Sequence, residues 1–160
     1  MNQKTRKIFL TLFYSGLSPK APGTVGSFVA LIMGVGLLNY FTFSNLFLAS
    51  ILITVLAIKQ IDIYEKEVGF HDSKEIVIDE LAGMWITLSV AGVEHTNYVG
   101  AIVAFGYFRL FDILKPSIIG RIDQKVQGGL GVMGDDVVAG ILAGLSTALT
   151  LYLFSTFILN

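Results

Sequence analysis

The run 137–159 is the feature that most constrains what this chain can fold into. It holds 23 residues and no charge, and a helix that crosses a bilayer needs about 20 consecutive apolar residues. The composition agrees, because the chain is 54% hydrophobic and only 14% charged, against about 25% charged residues in a typical soluble domain. This number of charges is too small to cover the surface of a soluble domain. We therefore expect one integral-membrane domain over residues 1–160.

Four more apolar stretches predict further helices, at 25–43, 46–58, 73–93 and 97–116. The first two carry no charge, whereas 73–93 begins and 97–116 ends with a charged turn. Together with 137–159 they predict an all-α, membrane-embedded bundle of about five helices. The sequence leaves open whether 46–58 and 73–93 cross the bilayer fully.

The charges divide the predicted bundle into two unlike faces. All eleven Lys and Arg residues fall in 1–24, 59–80 and 109–136, which are alternate connections and so lie on one side. Basic loops mark the cytoplasmic side of a membrane protein. Eleven of the twelve acids share that side, Glu94 being the exception, so we predict a polar site at the cytoplasmic face. A net charge of −1 gives no reason to expect a nucleic-acid partner.

The first acidic motif spans 71–80 and predicts the start of a helix. Asp72 and Glu75 have the spacing of a capping box, which is one interpretation of both residues. Asp79 and Glu80 lie further into the helix, close to the membrane. Ionisable groups there are costly and usually functional, so these two are predicted site residues.

The second motif places three charged residues on one helical face. Arg109, Asp112 and Lys115 are spaced by three, and Pro116 ends the helix. One interpretation is an ion pair within the helix at the membrane edge. The other is a site in which Asp112 binds a metal and the two cations bind an anionic substrate, since Arg suits bidentate phosphate contact.

The third motif follows a glycine-rich stretch, 128–134, with two adjacent carboxylates, Asp135 and Asp136. One of them could cap the helix that follows. Gly140 and Gly144 share the face of Asp136 and permit close packing of another helix. Such packing would bring Asp136 towards the carboxylates of other helices.

The loop 18–27 precedes the first apolar run and is stiffened by two prolines. Thr24 could cap the helix that follows. Unpaired backbone N–H groups at Gly23 and Thr24, with Lys20 nearby, would form a seat for phosphate.

Clustered carboxylates and the absence of cysteine favour a hard cation, most simply Mg²⁺. Magnesium held by few carboxylates commonly also meets a substrate phosphate. The chemistry expected is phosphoryl transfer on a membrane-embedded substrate, with the metal activating water or polarising the phosphoryl oxygen. The sequence leaves open whether an aspartate or water attacks phosphorus.

Four blocks together carry a family resemblance: 19–27 (PKAPGTVGS), 71–80 (HDSKEIVIDE), 108–116 (FRLFDILKP) and 129–140 (GLGVMGDDVVAG). Because all four blocks occur in this order, the chain resembles the phosphatidylglycerophosphatase A family. The resemblance implies a bacterial inner-membrane, Mg²⁺-dependent enzyme whose site faces the cytoplasm. Its substrate would be phosphatidylglycerophosphate, hydrolysed to phosphatidylglycerol and inorganic phosphate.

The resemblance and the motifs together predict roles for ten residues. Catalytic roles are expected for Asp79, Glu80, Asp112 and Asp136. Metal binding is expected for the same four with Asp135. Substrate binding is expected for Lys20, Gly23, Thr24, Arg109 and Lys115. Asp72 and Asp123 are further candidates.

Two other functions compete with this hypothesis. A small membrane cation transporter would also place carboxylates near its spans, although it would need them accessible from both sides. A non-catalytic membrane scaffold would explain the glycines but not the charged groups on the helices.

Overall fold

The computed structural model describes residues 1–69 and 73–158, and these form an all-α fold without strands. This confirms the predicted fold class. Its seven α-helices, with one 3₁₀ turn at Ser15–Leu17 between the first two, are α1 (Gln3–Leu10), α2 (Pro22–Leu37), α3 (Phe43–Val68), α4 (Ile78–Val90), α5 (Tyr98–Leu114), α6 (Ile118–Lys125) and α7 (Gly129–Ile158).

The prediction of about five helices was too low. The helices α2, α3, α4, α5 and α7 correspond to the five apolar stretches, and α1 and α6 are additional. Both additional helices have eight residues, and each mixes charged with apolar side chains. A search for uninterrupted apolar runs therefore passes over them.

Helix α4 is the central element and packs against α2, α3, α5 and α7. Nearly all of its residues are buried. Its 13 residues span only about 20 Å at 1.5 Å per residue, which is less than the hydrocarbon thickness of a bilayer, about 30 Å. The centre of the bundle is therefore a short helix enclosed by longer ones.

The predicted start of α4 was wrong. The helix begins at Ile78 rather than near 73, and its N-cap residue, Val77, makes no side-chain cap. The preceding chain is held elsewhere, because the Val77 N–H donates to the Leu10 carbonyl oxygen at 2.9 Å and Val77 is buried. Glu75 precedes this helix and contacts Lys7 and Tyr64, so it is not the N3 residue of a capping box at the start of α4. Asp72 lies outside the described residues.

Glycines bring α4 and α7 unusually close together. A Cβ atom on Gly140 would lie 2.5 Å from the carbonyl oxygen of Gly83, and one on Gly83 would lie 2.8 Å from that of Asp136. A Cβ atom on Gly144 would lie 2.6 Å from the Cβ atom of Val90. The prediction that this glycine face admits a neighbouring helix is confirmed, and it is α4 that approaches.

Helices α3 and α7 are long and apolar enough to cross a membrane. Only 22% and 28% of their most apolar windows are buried inside the molecule, whereas the core helix of a soluble protein would be mostly enclosed. Large apolar side chains such as Leu52, Val55, Leu145 and Leu149 point outwards. These features indicate association with a membrane.

The helices α2, α3, α4, α5 and α7 alternate in direction, so that their charged ends meet. Glu80 near the start of α4 contacts Arg109 near the end of α5, and the first residue of α7 contacts Asp62 in the last third of α3. We call this the polar end, formed by the starts of α2, α4 and α7 and the ends of α3 and α5. The opposite end, with the connections 38–42 and 91–97, is called the far end.

Candidate active site

The polar end contains a cavity of about 220 Å³ between α4, α5, α6 and α7. Its lining includes all five acids for which metal binding was predicted, together with Lys115 and Asp123. The lining residues are Asp79, Glu80, Asp112, Lys115, Asp123, Gly131, Val132, Asp135 and Asp136. Three separate sequence motifs therefore converge on one space.

Three of the carboxylates that line this cavity could share one cation. Glu80, Asp112 and Asp136 each offer one oxygen, and these oxygens lie within 4.8 Å of one another. Glu80 is 7% exposed and Asp136 is 3% exposed. The Oδ2 atom of Asp136 is buried without a hydrogen-bond partner among the described residues. We call these three residues the carboxylate cluster.

Arg109 provides positive charge beside this cluster. Its Nη1 atom donates to Glu80 Oε1 at 2.8 Å and to Oε2 at 2.7 Å, and to Asp112 Oδ2 at 2.5 Å. Its Nη2 atom donates to the Thr24 hydroxyl at 3.3 Å. The predicted shared face of Arg109 and Asp112 is confirmed, and the ion pair within α5 extends to α4. Whether Arg109 also binds substrate stays a prediction.

Helix α2 supports Glu80 through two residues. A Cβ atom on Gly23 would lie 2.3 Å from Glu80 Oε1, so the glycine leaves room for that carboxylate. The hydroxyl of Ser27, fully buried, lies 2.5 Å from Glu80 Oε2 and accepts from Arg109 Nη1 at 3.1 Å. Sequence reasoning gave Ser27 no role, and its local pattern, a small residue in an apolar run, offered no signal.

The expectation that Thr24 caps the first helix was wrong. Helix α2 begins at Pro22, and Ala21 is its N-cap residue, without a side-chain hydrogen bond. Thr24 lies inside the first turn and is exposed on the side of Arg109. Lys20 is exposed as well, and it does not line the cavity.

Enclosure changes the proton affinity of the two acids that begin α4. Burial raises the pKa of Glu80 to about 7; the charge of Asp112 adds to the rise, and Arg109 opposes it. Burial and the neighbouring Glu80 raise the pKa of Asp79 well above its usual value, although the Glu80 N–H donates to Asp79 Oδ1 at 2.9 Å. Crowding of this kind opposes the charged form of both acids, and a cation bound beside them would favour it.

Lys115 occupies the other side of the cavity. It ends α5, as Pro116 predicted, with a left-handed backbone conformation at φ 43°. Its ammonium group donates to Asp135 Oδ2 at 2.7 Å and also contacts the Asp123 carboxylate. The other oxygen of Asp135, Oδ1, is buried and has no hydrogen-bond partner within the described ranges.

The capping interpretation of Asp135 and Asp136 was wrong. Helix α7 begins at Gly129, so both acids lie in its second turn. The Gly129 N–H donates instead to Asp62 Oδ1 at 2.7 Å. Sequence reasoning missed Asp62 because it placed this residue in a loop, whereas α3 continues to Val68.

Comparison with known proteins agrees with this arrangement. The model of a family described as Phosphatidylglycerophosphatase A matches residues 8–151. The chain belongs to the phosphatidylglycerophosphatase A family. The match spans every residue that lines the cavity and all four blocks that carried the resemblance. Membership makes the chain a phosphatase, and it does not favour the transporter or the scaffold.

Three relatives align with most of the chain. Phosphatidylglycerophosphatase A of Escherichia coli (strain K12) is 39% identical over 133 residues, which is 82% of this chain and 74% of the relative. The enzyme of the same name from Haemophilus influenzae is 38% identical over 131 residues, 82% of this chain and 79% of its own.

The third relative has a similar sequence identity to this chain but a different name. A putative phosphatidylinositol-3-phosphatase of Bacteroides thetaiotaomicron is 37% identical over 135 residues, 82% of this chain and 84% of the relative. No solved structure gave a significant match.

Proposed function

We propose that this chain is a Mg²⁺-dependent phosphatase that removes the terminal phosphate of phosphatidylglycerophosphate and leaves phosphatidylglycerol. The names of the two relatives with 39% and 38% identity support the substrate. The carboxylate cluster, three acids from three helices around one point, is the observation that carries the proposal.

The donor set suits Mg²⁺. Glu80, Asp112 and Asp136 supply only oxygen atoms, which are the ligands of hard cations, and the chain has no cysteine to favour a softer metal. The buried and unpartnered Asp136 Oδ2 needs a positive partner, because an unpaired buried charge is costly. Asp79 and Asp135 line the same cavity and are further candidate ligands. When bound, Mg²⁺ supplies positive charge against a phosphate group.

Two cations, Arg109 beside the carboxylate cluster and Lys115 in the cavity lining, would bind the phosphate monoester. Arg109 extends from the buried Glu80 to the exposed Thr24, so its guanidinium group connects the interior of the cluster with the solvent side. Lys115 lines the cavity directly. Gly23, Thr24 and Lys20 belong to the first turn of α2 and the loop before it, and they would border the incoming phosphate on that side.

The membrane would present such a substrate at the correct depth. The polar end carries the ion pairs of Arg6, Lys7, Arg109 and Lys115, and basic residues favour the cytoplasmic side. A bundle that spans the bacterial inner membrane with this end inwards would face the headgroups of the cytoplasmic leaflet. The apolar outer faces of α3 and α7 would meet the acyl chains.

Phosphate release from purified protein tests the proposal. We expect hydrolysis of phosphatidylglycerophosphate in mixed micelles with Mg²⁺, loss of activity on chelation, and recovery when Mg²⁺ is returned. Phosphatidylinositol 3-phosphate, suggested by the name of the Bacteroides relative, and phosphatidic acid are the comparison substrates. Preference for either, or undiminished turnover after chelation, would contradict the proposal.

A further inference from the structure

Asp123 lies in the cavity but outside the carboxylate cluster. We propose that Asp123 is a positioning residue: with Asp135 it holds the Lys115 ammonium group where the substrate phosphate binds. This inference rests on the proposed function, because it takes a phosphate monoester as the ligand of the cavity. It gives Asp123 a role that is neither metal binding nor direct contact with substrate.

The contacts of Lys115 come from two different helices. Asp135 on α7 is buried, whereas Asp123 on α6 is one-third exposed in its side chain, as is Lys115 itself. The ammonium group is therefore fixed from the buried side and from the solvent side at once. Without Asp123, the long and flexible lysine stem would be held by Asp135 alone.

The backbone brings α6 back over Lys115. Lys115 and Ser117, on either side of Pro116, both have positive φ angles, 43° and 52°, which are unfavourable for residues other than glycine. A Cβ atom on Gly120 would lie 2.6 Å from the Lys115 carbonyl oxygen. Strained conformations of this kind persist where the surrounding structure imposes them and are common at functional sites. The sharp turn places Asp123 beside the lysine eight residues earlier.

One of the three N–H donors of the Lys115 ammonium group remains for a ligand. An ammonium group has three N–H donors, and the contacts with Asp123 and Asp135 use two of them. Because Lys115 lines the cavity, the third is available to a phosphate oxygen. Two fixed donors orient the third, so less freedom is lost when phosphate binds.

Kinetics of Asp123→Asn test this role. The change keeps the size of the side chain and removes its charge, so we expect KM for the lipid phosphate to rise about 3- to 10-fold, the range for one partly exposed charged contact, with kcat within about twofold. Asp123→Glu should recover most of the affinity. Glu94→Gln, an exposed acid at the far end, is the matched control and should leave KM unchanged.

A double-variant cycle separates positioning from a general structural effect. In a Lys115→Gln background, Asp123→Asn should have no further effect on KM, since the residue acts through the lysine. Equal effects in both backgrounds would overturn the proposal. A fall in kcat at unchanged KM would also overturn it, because that result would place Asp123 in the chemical step or at the metal.

Chemical labelling gives a readout that needs no turnover. An amine-reactive reagent should label Lys115 several-fold faster in Asp123→Asn than in the parent chain, measured by peptide mass spectrometry with exposed Lys74 as the internal reference. Unchanged labelling would overturn the positioning role even in an active enzyme. If the parent chain released no phosphate from phosphatidylglycerophosphate, the proposed function would fail, while the labelling would still decide whether Asp123 holds Lys115.

Discussion

The five helices that correspond to the apolar stretches begin in different ways at the two ends of the bundle. At the far end α3 and α5 have side-chain caps, in which Thr42 accepts from the Asn45 N–H and Asn97 accepts from the Gly100 N–H at 2.8 Å. At the polar end the N-cap residues of α2 and α4, Ala21 and Val77, make no side-chain cap. The first N–H of α7 donates to Asp62 on α3.

Because of this difference, the starts of α2 and α4 at the polar end lack a stabilising contact that the helix starts at the far end have. A good N-cap contributes about 1 kcal/mol, and the far end has that contribution at both helix starts. At the polar end, the acids near the helix starts point into the cavity instead of capping. Strain is stored there too, at Lys115 and Ser117. Substitutions at the two ends should therefore affect different properties.

Asp136→Asn should have the largest effect on activity. It removes one charge from the carboxylate cluster at nearly constant volume, so we expect phosphate release to fall at least about 100-fold, as for loss of a principal electrostatic group. Unfolding in detergent should change little, because the substitution also relieves repulsion among buried acids. Near-normal turnover in this variant would remove Asp136 from the site.

Arg109→Lys should have an intermediate effect. One guanidinium group contacts Glu80, Asp112, Ser27 and Thr24, and a single ammonium group cannot reproduce that planar set of donors. We expect kcat/KM to fall about 10-fold to 100-fold, as when 1.4 to 2.7 kcal/mol of transition-state binding is lost. A variant as active as the parent would show that only the charge at this position matters.

Asn97→Ala should have the smallest effect, and on stability alone. It removes the cap of α5 at the far end, which should lower the free energy of unfolding by about 1 kcal/mol. Activity per folded molecule should match the parent chain, measured by phosphate release corrected for the folded fraction. A loss of turnover without a loss of stability would show that the far end communicates with the cavity.

The sequence predicted which acids come together better than it predicted the local structure around them. Asp79, Glu80, Asp112, Asp135 and Asp136 were identified because charges are rare and costly in so apolar a chain, and all of them line one cavity. The helix starts were harder, because capping preferences are local and tertiary contacts override them.

Residues with ordinary local patterns were missed for a related reason. Ser27 looks like any small residue of an apolar helix, and Asp62 looks like an acid in a loop. Their roles come from partners 53 and 67 residues away in the chain. Nothing in the neighbouring sequence indicates a contact at that distance.

The sequence by itself determined the all-α class, the long apolar helices and the concentration of charge at one end, because hydrophobic length and charge cost are properties of each segment alone. Only the tertiary structure decided which acids meet as the carboxylate cluster and which hold Lys115. That outcome depends on the close approach of α4 and α7 at Gly83 and Gly140 and on the turn that returns α6 to Lys115. Both are relations between segments, and no single segment encodes them.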